Sequence, residues 1–487
     1  MPEGLTEKLP ALKQLSEATS QDLFVSEALK RLGPLVQQAE LLAAQYDAVV
    51  ANPPYMGKHG MNGQLKKFAK AAFPEASSDL YACFRGRGYS LATDCGHVSM
   101  VTMQGWMFLS SFEEMRETLL REKTISTMAH LGARAFGSIS GEIVQTTAFA
   151  LKNHATQGFR PAFLRLLVGG EDDKRTGLAN GDGRFDGSAQ NAFTRIPGSP
   201  IGYWVSDSFR GVFSRSESIG SITIARQGLV TAANELFVRL WFEVAFTDFG
   251  RGFADRESAA ASGKTWFPYN KGGAYRKWYG NSEHVVNWAE DGAAIKEKKK
   301  RDLDAGRITA NNSQCWNQDY YFKPSVSWSG ISSNRTAFRK YSPGSIFSGA
   351  GLSAFFDGDL EQVAIAGLNS SVFQELLELI SPGLSLTSGE LGKMPFLTSS
   401  ENPGLSKLSS DLICAASTDW NAYERSWDFQ SLPLLTASTE PTPTLESSYT
   451  AWITQNTGTI AEKGDFELFV LPPRVDPFKV ARSAWQA

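Results

Sequence analysis

The first stretch of the chain mixes apolar and polar positions with a helical period. Leu29, Leu32, Val36, Leu41 and Leu42 recur at near-helical spacing between polar neighbours, which predicts a helical segment over residues 1–45. At Tyr46 the pattern changes. Ala48, Val49 and Val50 form a short apolar run that stops at Asn52-Pro53-Pro54, because proline fixes φ and removes a ladder donor, so a buried strand ends there on a rigid loop. The next strand is expected at His97–Met103. A helical segment containing Asp79–Phe84 precedes it, and a second, Ser111–Thr124, follows it. Two more apolar runs, Thr124–Gly132 and Val144–Lys152, read as strands. Strands alternating with helices predict an α/β sheet over 46–160, and only part of one.

From Gly169 to Pro200 the composition shifts to Gly, Asp, Asn and Ser, and the region 161–215 reads as a flexible connection or insertion at a domain border. Beyond it, 216–420 is rich in aromatic residues and glycine, with short apolar runs between turn residues, which predicts a mixed α/β or largely β second domain. Residues 421–487 form a C-terminal extension of helical-looking pieces, with a Thr/Pro-rich linker over 436–448. There is no internal repeat.

Composition narrows the class. With 48 basic and 51 acidic side chains the net charge is -3 over 487 residues, so no global positive field draws the chain to nucleic acid and any basic surface is local. Hydrophobic residues at 42% and charged residues at 20% are globular values. Cys83, Cys95, Cys315 and Cys414 form no C-x-x-C pair, and the histidines form no metal-spaced cluster, so neither a disulfide framework nor a metal is expected. The N-terminus lacks the apolar region of a signal peptide, and no stretch approaches about 20 apolar residues. The default expectation is a cytoplasmic protein that does not span a membrane.

The sharpest chemical signal is Asn52-Pro53-Pro54-Tyr55. A tetrad of this kind arises by accident in roughly one chain of this length in a hundred. Its structural alternative is a proline-stiffened turn. Its chemical reading starts from the exocyclic amine of a nucleobase, which is a weak nucleophile because its lone pair is delocalised into the ring. The Asn52 amide oxygen and the Pro53 carbonyl, held by two fixed φ angles, can accept hydrogen bonds from that amine and localise the pair. Tyr55 offers a flat face for a base turned out of a duplex.

These residues resemble the catalytic motif of the amino-methyltransferases that transfer methyl from S-adenosylmethionine (SAM) to adenine N6 in DNA. The resemblance makes Asn52, Pro53, Pro54 and Tyr55 catalytic. It places Asp79 and Phe84, in the segment Asp79–Phe84, at the cofactor pocket, and makes Phe136 the second aromatic that sandwiches the target base. The segments around His130–Leu151, Trp266–Asn281 and Ser327–Phe347 are similar to the PglX-like methyltransferases of BREX phage-defence systems, over roughly Tyr46 to Leu412. The fold implied is α/β: a partial Rossmann-like SAM-dependent methyltransferase sheet, its C-terminal half, followed by a mixed α/β target-recognition domain.

The pattern departs from the family at one place. The Gly-rich SAM loop that family members carry upstream of the tetrad has no counterpart, since residues 1–45 contain only Gly4 and Gly33. The expected partners are therefore double-stranded DNA, an N-terminal methyltransferase half on another chain, and other BREX proteins. A permuted arrangement is the competing explanation, because Phe347-Ser348-Gly349-Ala350-Gly351 spells F-x-G-x-G after the tetrad. For DNA contacts the candidates are Lys271, Arg276 and Lys277 among the rings of Trp266–Tyr279, then Arg335, Arg339 and Lys340, and the basic run Lys296–Arg301. An aromatic core and a solvated helix face are the plain alternatives. His59 is a candidate neighbour of the DNA backbone, and His97 and His130 read as structural. No nuclease pattern is assigned, so the expectation is methylation without cleavage. An RNA or protein amine acceptor stays open as an alternative to DNA.

Overall fold

The structure, a computed structural model, describes residues 4–18, 22–136, 144–309, 315–332, 335–381, 385–397, 403–438 and 440–463. The chain divides into two compact units, Met1–Ser214 and Arg215–Ala487.

The first unit opens with helices α1 (Leu5–Ser16) and α2 (Leu23–Ala43). The Asp22 side chain starts α2 by accepting from the amides of Phe24 and Val25. Strand β1 (Tyr46–Ala51) follows, then α3 (Gly63–Ala72), α4 (Leu80–Leu91), β2 (Ala92–Met103), α5 (Glu113–Glu122), β3 (Thr124–Gly132) and β4 (Thr146–Lys152). The strands read from the apolar runs are thus present, and β2 starts earlier than the run at His97 indicates. The sheet continues through β5 (Ala162–Arg165), α6 (Glu171–Asn180) and β6 (Arg184–Phe185) in the order β1-β2-β4-β3-β5-β6. β1 is parallel to β2, while β4 is antiparallel to both β2 and β3. β1, β2 and β3 therefore all point the same way, and their carboxyl ends lie along one edge of the sheet with the start of β4.

The sheet buries Val98, Met100, Ile125, Met128, Phe149 and Leu151, none more than 4% exposed. These are the alternating positions of a strand packed on its core face. The segment 161–215 is folded into this unit. Phe193, Ile201 and Tyr203 join the same core, and Tyr203 stacks on Phe163 with ring centres 4.4 Å apart. Its glycines mark tight turns: Gly183 has φ +63°, and a Cβ there would meet the Arg165 carbonyl oxygen at 2.5 Å. β1 contrasts with its neighbours. Among the described residues it pairs with β2 alone, and Val50 is 79% exposed.

The second unit contains two four-stranded sheets. One, in the order β13-β9-β10-β8, comprises β8 (Val238–Leu240), β9 (Trp266–Asn270), β10 (His284–Asn287) and β13 (Ile346–Phe347). The other, in the order β12-β11-β14-β7, comprises β7 (Ile224–Arg226), β11 (Ser325–Ser329), β12 (Phe338–Tyr341) and β14 (Gly351–Phe355). Trp278, Trp288, Trp328, Phe267 and Tyr321 fill its interior. Among the described residues no single helix is long and apolar enough to cross a membrane. The helices Leu360–Asn369 and Ser371–Ile380 meet that test only as a pair bent by 73°, and their Ile365, Leu368, Phe373 and Leu376 are buried. The architecture is mixed α/β in both units.

The F-x-G-x-G stretch joins β13 to β14. The Ser348 hydroxyl accepts from the amides of Ala350 at 3.1 Å and Gly351 at 2.8 Å. A Cβ on Gly351 would meet the Asn270 carbonyl oxygen at 2.6 Å. Close packing within this unit is reason enough for the glycine.

Candidate active site

Asn52 leaves the end of β1 where Ala51 lies opposite Met100 of β2. Pro53 is buried and Asn52 exposed. Two prolines hold the chain extended as it turns off the sheet. Among the described residues no hydrogen bond engages the Asn52 side chain, so its amide is available at the carboxyl edge. Tyr55 is half-buried. Its hydroxyl donates to the Val101 carbonyl at 3.3 Å, and its ring meets Tyr81 edge to face, with centres 6.1 Å apart. Burial pushes the Tyr55 phenol above its ordinary value, so the ring stays neutral.

The loop beyond Tyr55 is clamped from α4. Asp79 Oδ1 accepts the Met56 amide at 3.0 Å and caps α4 through the Tyr81 amide at 3.3 Å. The Leu80 amide returns a bond to the Met56 carbonyl at 3.0 Å. Desolvation raises the Asp79 carboxyl above its usual range, and the backbone donors around it oppose that rise. One Asp79 oxygen is thus committed to holding the tetrad. Phe84, one turn along α4, is 42% exposed. Phe136 is half-buried and follows the end of β3, on the same edge as Asn52. Lys174 of α6 ties the end of β3 to the end of β5, its ammonium donating to the Leu131 carbonyl at 2.5 Å and the Leu166 carbonyl at 2.8 Å.

The same edge carries a polar chain that composition and spacing did not single out. His130 is 4% exposed. Its Nε2 bonds Gln104 Oε1 at 2.7 Å, and its Nδ1 bonds the Tyr203 hydroxyl at 3.1 Å. The Gln104 amide nitrogen donates in turn to Gln145 Oε1. Burial, then the nearby Arg165 and Lys174, lower the His130 pKa to about 4, so the ring is neutral near pH 7. A lone glutamine after a strand carries no sequence signal, which is why the chain emerges only in three dimensions.

In the second unit the basic candidates separate by environment. Arg339 was expected to contact phosphate but is 1% exposed: its guanidinium donates to the Arg276 carbonyl at 3.2 Å and the Ser329 hydroxyl at 3.1 Å. It is an interior group. Arg276 pairs with Asp419 and lies 5.1 Å over the Trp420 ring. Lys277 donates to the Asn369 carbonyl at 2.9 Å, and Lys340 pairs with Glu361 at 2.9 Å. Arg335 is exposed and pairs with Glu375 at 3.0 Å. Lys271 is half-buried, without an ion pair among the described residues. In the basic run, Lys296 and Lys298 pair with Asp291 and Asp302, and Lys299 is buried. Among the described residues no group of acidic, His and Cys side chains has the arrangement of a metal site.

Residues 9–136 match the Eco57I restriction-modification methylase family. The chain is 39% identical over 422 residues to the adenine-specific methyltransferase BrxX of Escherichia coli O9:H4 (strain HS), covering 86% of this chain and 33% of that protein. It is 38% identical over 429 residues to the adenine-specific methyltransferase PglX of Lacticaseibacillus casei (strain Zhang), covering 86% of this chain and 35% of that protein. Among solved structures it is similar to the Type IIL restriction-modification enzyme MmeI in complex with DNA, with a TM-score of 0.47 and 13% identity over 90% of this chain and 56% of that one. A nuclease-deletion mutant of the Type ISP enzyme LlaGI in complex with a DNA substrate mimic gives a TM-score of 0.46 and 12% identity over 83% and 44%. The chain spans about a third of the length of the curated relatives it matches. By this similarity the chain is a relative of the adenine-specific methyltransferases BrxX and PglX, in line with the resemblance read from its motifs.

Proposed function

We propose that this chain is the catalytic-loop and target-recognition part of a DNA methyltransferase that methylates adenine N6 in BREX-type phage defence. The observation that carries the reading is the rigid tetrad Asn52–Tyr55 at the carboxyl edge of the first sheet, with the Asn52 amide exposed and Tyr55 fixed by Val101 and Tyr81. The sheet reads as the C-terminal half of a Rossmann-like methyltransferase sheet. Asn52 Oδ1 and the Pro53 carbonyl accept the two hydrogens of the adenine amine, and Tyr55 and Phe136 stack the base. SAM supplies an electrophilic methyl group on its sulfonium. Preorganised acceptors account for most of the catalysis.

The described residues fit the cofactor in part. Phe84 offers an exposed ring, Asp79 has one oxygen taken by the Met56 and Tyr81 amides, and the residues before β1 form two helices rather than a Gly-rich loop. The edge of β1, which pairs with no further strand among the described residues, and its exposed Val50 support a second reading, in which a separate SAM-binding segment pairs there and the chain alone does not methylate. Lys271 and Arg335 are the proposed phosphate contacts of the second unit. The experiment is tritiated methyl transfer to unmethylated phage DNA, run beside SAM titration calorimetry. Transfer to adenine that Asn52→Ala abolishes supports the first reading. SAM binding only after a SAM-binding segment is added supports the second, and transfer unchanged in Asn52→Ala overturns the assignment of the tetrad.

A further inference from the structure

The polar chain at the carboxyl edge has a direction, and the direction decides what Gln104 can offer to a base. A glutamine amide oxygen only accepts, so the His130 nitrogen bonded to it carries the proton. A neutral imidazole has one N–H, which leaves Nδ1 as the acceptor of the Tyr203 hydroxyl. The ring is 4% exposed and packed between Phe108, Tyr203 and Trp204, with ring centres 6.0 to 6.1 Å away. With its oxygen on His130, the Gln104 amide presents its NH2 to Gln145. Gln145 takes one of the two amide hydrogens. Among the described residues no hydrogen bond takes the other.

Gln104 directly follows β2, the strand next to the one that ends at the tetrad. Ala51 and Met100 are partners in adjacent parallel strands, and Tyr55 and Gln104 each follow four residues on. The two segments are linked beyond the strands as well, by the Tyr55 bond to the Val101 carbonyl and by Tyr81, which touches the Tyr55 ring and lies 3.7 Å from where a Cβ on Gly105 would stand.

We infer that Gln104 is a base-reading residue, which donates a hydrogen bond to the adenine ring nitrogen flanking the amine held by Asn52, and that His130 is the positioning residue that turns it. This deepens the adenine reading above and rests on it. With both amine hydrogens accepted by Asn52 and Pro53, the remaining hydrogen-bonding atoms of adenine beside N6 are the acceptors N1 and N7. A fixed donor suits either. At N1 it opposes the N1–H of guanine and so selects as well as places the base; at N7, an acceptor in both bases, it places the base only.

The test uses the assembly in which the wild-type chain methylates unmethylated phage DNA, with thermal melting of each variant to show the fold is kept. Gln104→Ala is expected to lose roughly tenfold to a hundredfold in kcat/KM for DNA, as for a hydrogen bond to a buried acceptor, with SAM affinity unchanged. Gln104→Glu keeps the shape but donates only when protonated, so its activity relative to wild type is expected to be lowest near about pH 8 and to recover as the pH falls toward about 5. A residue with only a structural role would show no such recovery. His130→Phe retains the aromatic packing and is expected to lose about tenfold, also in kcat/KM for DNA. Gln104→Ala within twofold of wild type, while Asn52→Ala is inactive, overturns the role of Gln104 alone. If wild type methylates some group other than adenine, the reading beneath it fails, and this role with it.

Discussion

The carboxyl edge of the first sheet and the basic, aromatic stretch of the second unit carry equally conspicuous sequences, yet the fold treats them in opposite ways. At the edge, Asn52 is exposed and Tyr55 is half-buried with its ring fixed, so chemistry is held toward solvent. In the second unit, Tyr269, Trp278 and Arg339 are no more than 3% exposed, and Arg276 and Lys277 are engaged by Asp419 and Asn369. The difference teaches that a loop made rigid by covalent geometry keeps its meaning in any environment. A cluster of rings and cations does not, because rings bury well and cations pair wherever a carboxylate or carbonyl is near.

Four measurements press on this contrast. The largest effect belongs to Asn52→Ala, expected to reduce methyl transfer by about a thousandfold, as for loss of a preorganised charge-stabilising group, without shifting the melting temperature. Next is Arg339→Ala. Its loss should destabilise the second unit by about 3 kcal/mol in urea unfolding, through a cavity and orphaned partners, and a stable variant with weakened DNA binding would reverse the reading of Arg339 as interior.

A somewhat smaller effect concerns His130. Its folded pKa of about 4 lies below the ordinary value of 6.5, so the unfolded chain binds more protons between these values. Stability contributed by the neutral ring is complete above about pH 6.5 and falls as the pH drops toward about 4, by up to about 3 kcal/mol. His130→Phe should flatten that slope in urea titrations at a series of pH values. The smallest effect is Lys271→Ala, expected to weaken DNA binding uniformly and to lower the salt slope by about one, with no change in melting. An unchanged salt slope would remove Lys271 from the interface.

Much of the first unit was legible in the chain. The apolar run Ala48–Val50, the proline stop and the runs at Thr124 and Val144 fall on β1, β3 and β4, and β3 and β4 are buried as read, whereas β1 is not the buried strand expected, since Ala48 and Val50 are exposed and only Val49 and Ala51 pack on the core. The segment 161–215 was not legible. Its Gly, Asp and Asn mark real turns, but β5, β6 and the buried Phe193 and Tyr203 depend on packing against residues distant in sequence. Asp79 was marked for the cofactor by resemblance, and its bond to the Met56 amide, 23 positions away, was invisible to spacing.

By itself the sequence determined the rigid tetrad, the strand that presents it and the α/β class, because each is set by local covalent geometry or by periodicity within one element. Tertiary structure alone decided that Arg339 is interior, that Lys174 ties the ends of β3 and β5, and that Tyr203, His130, Gln104 and Gln145 form one hydrogen-bonded chain. Burial and hydrogen-bond direction are properties of neighbours, and those neighbours are brought together across 26 to 73 positions by the pairing of strands and the closing of one core.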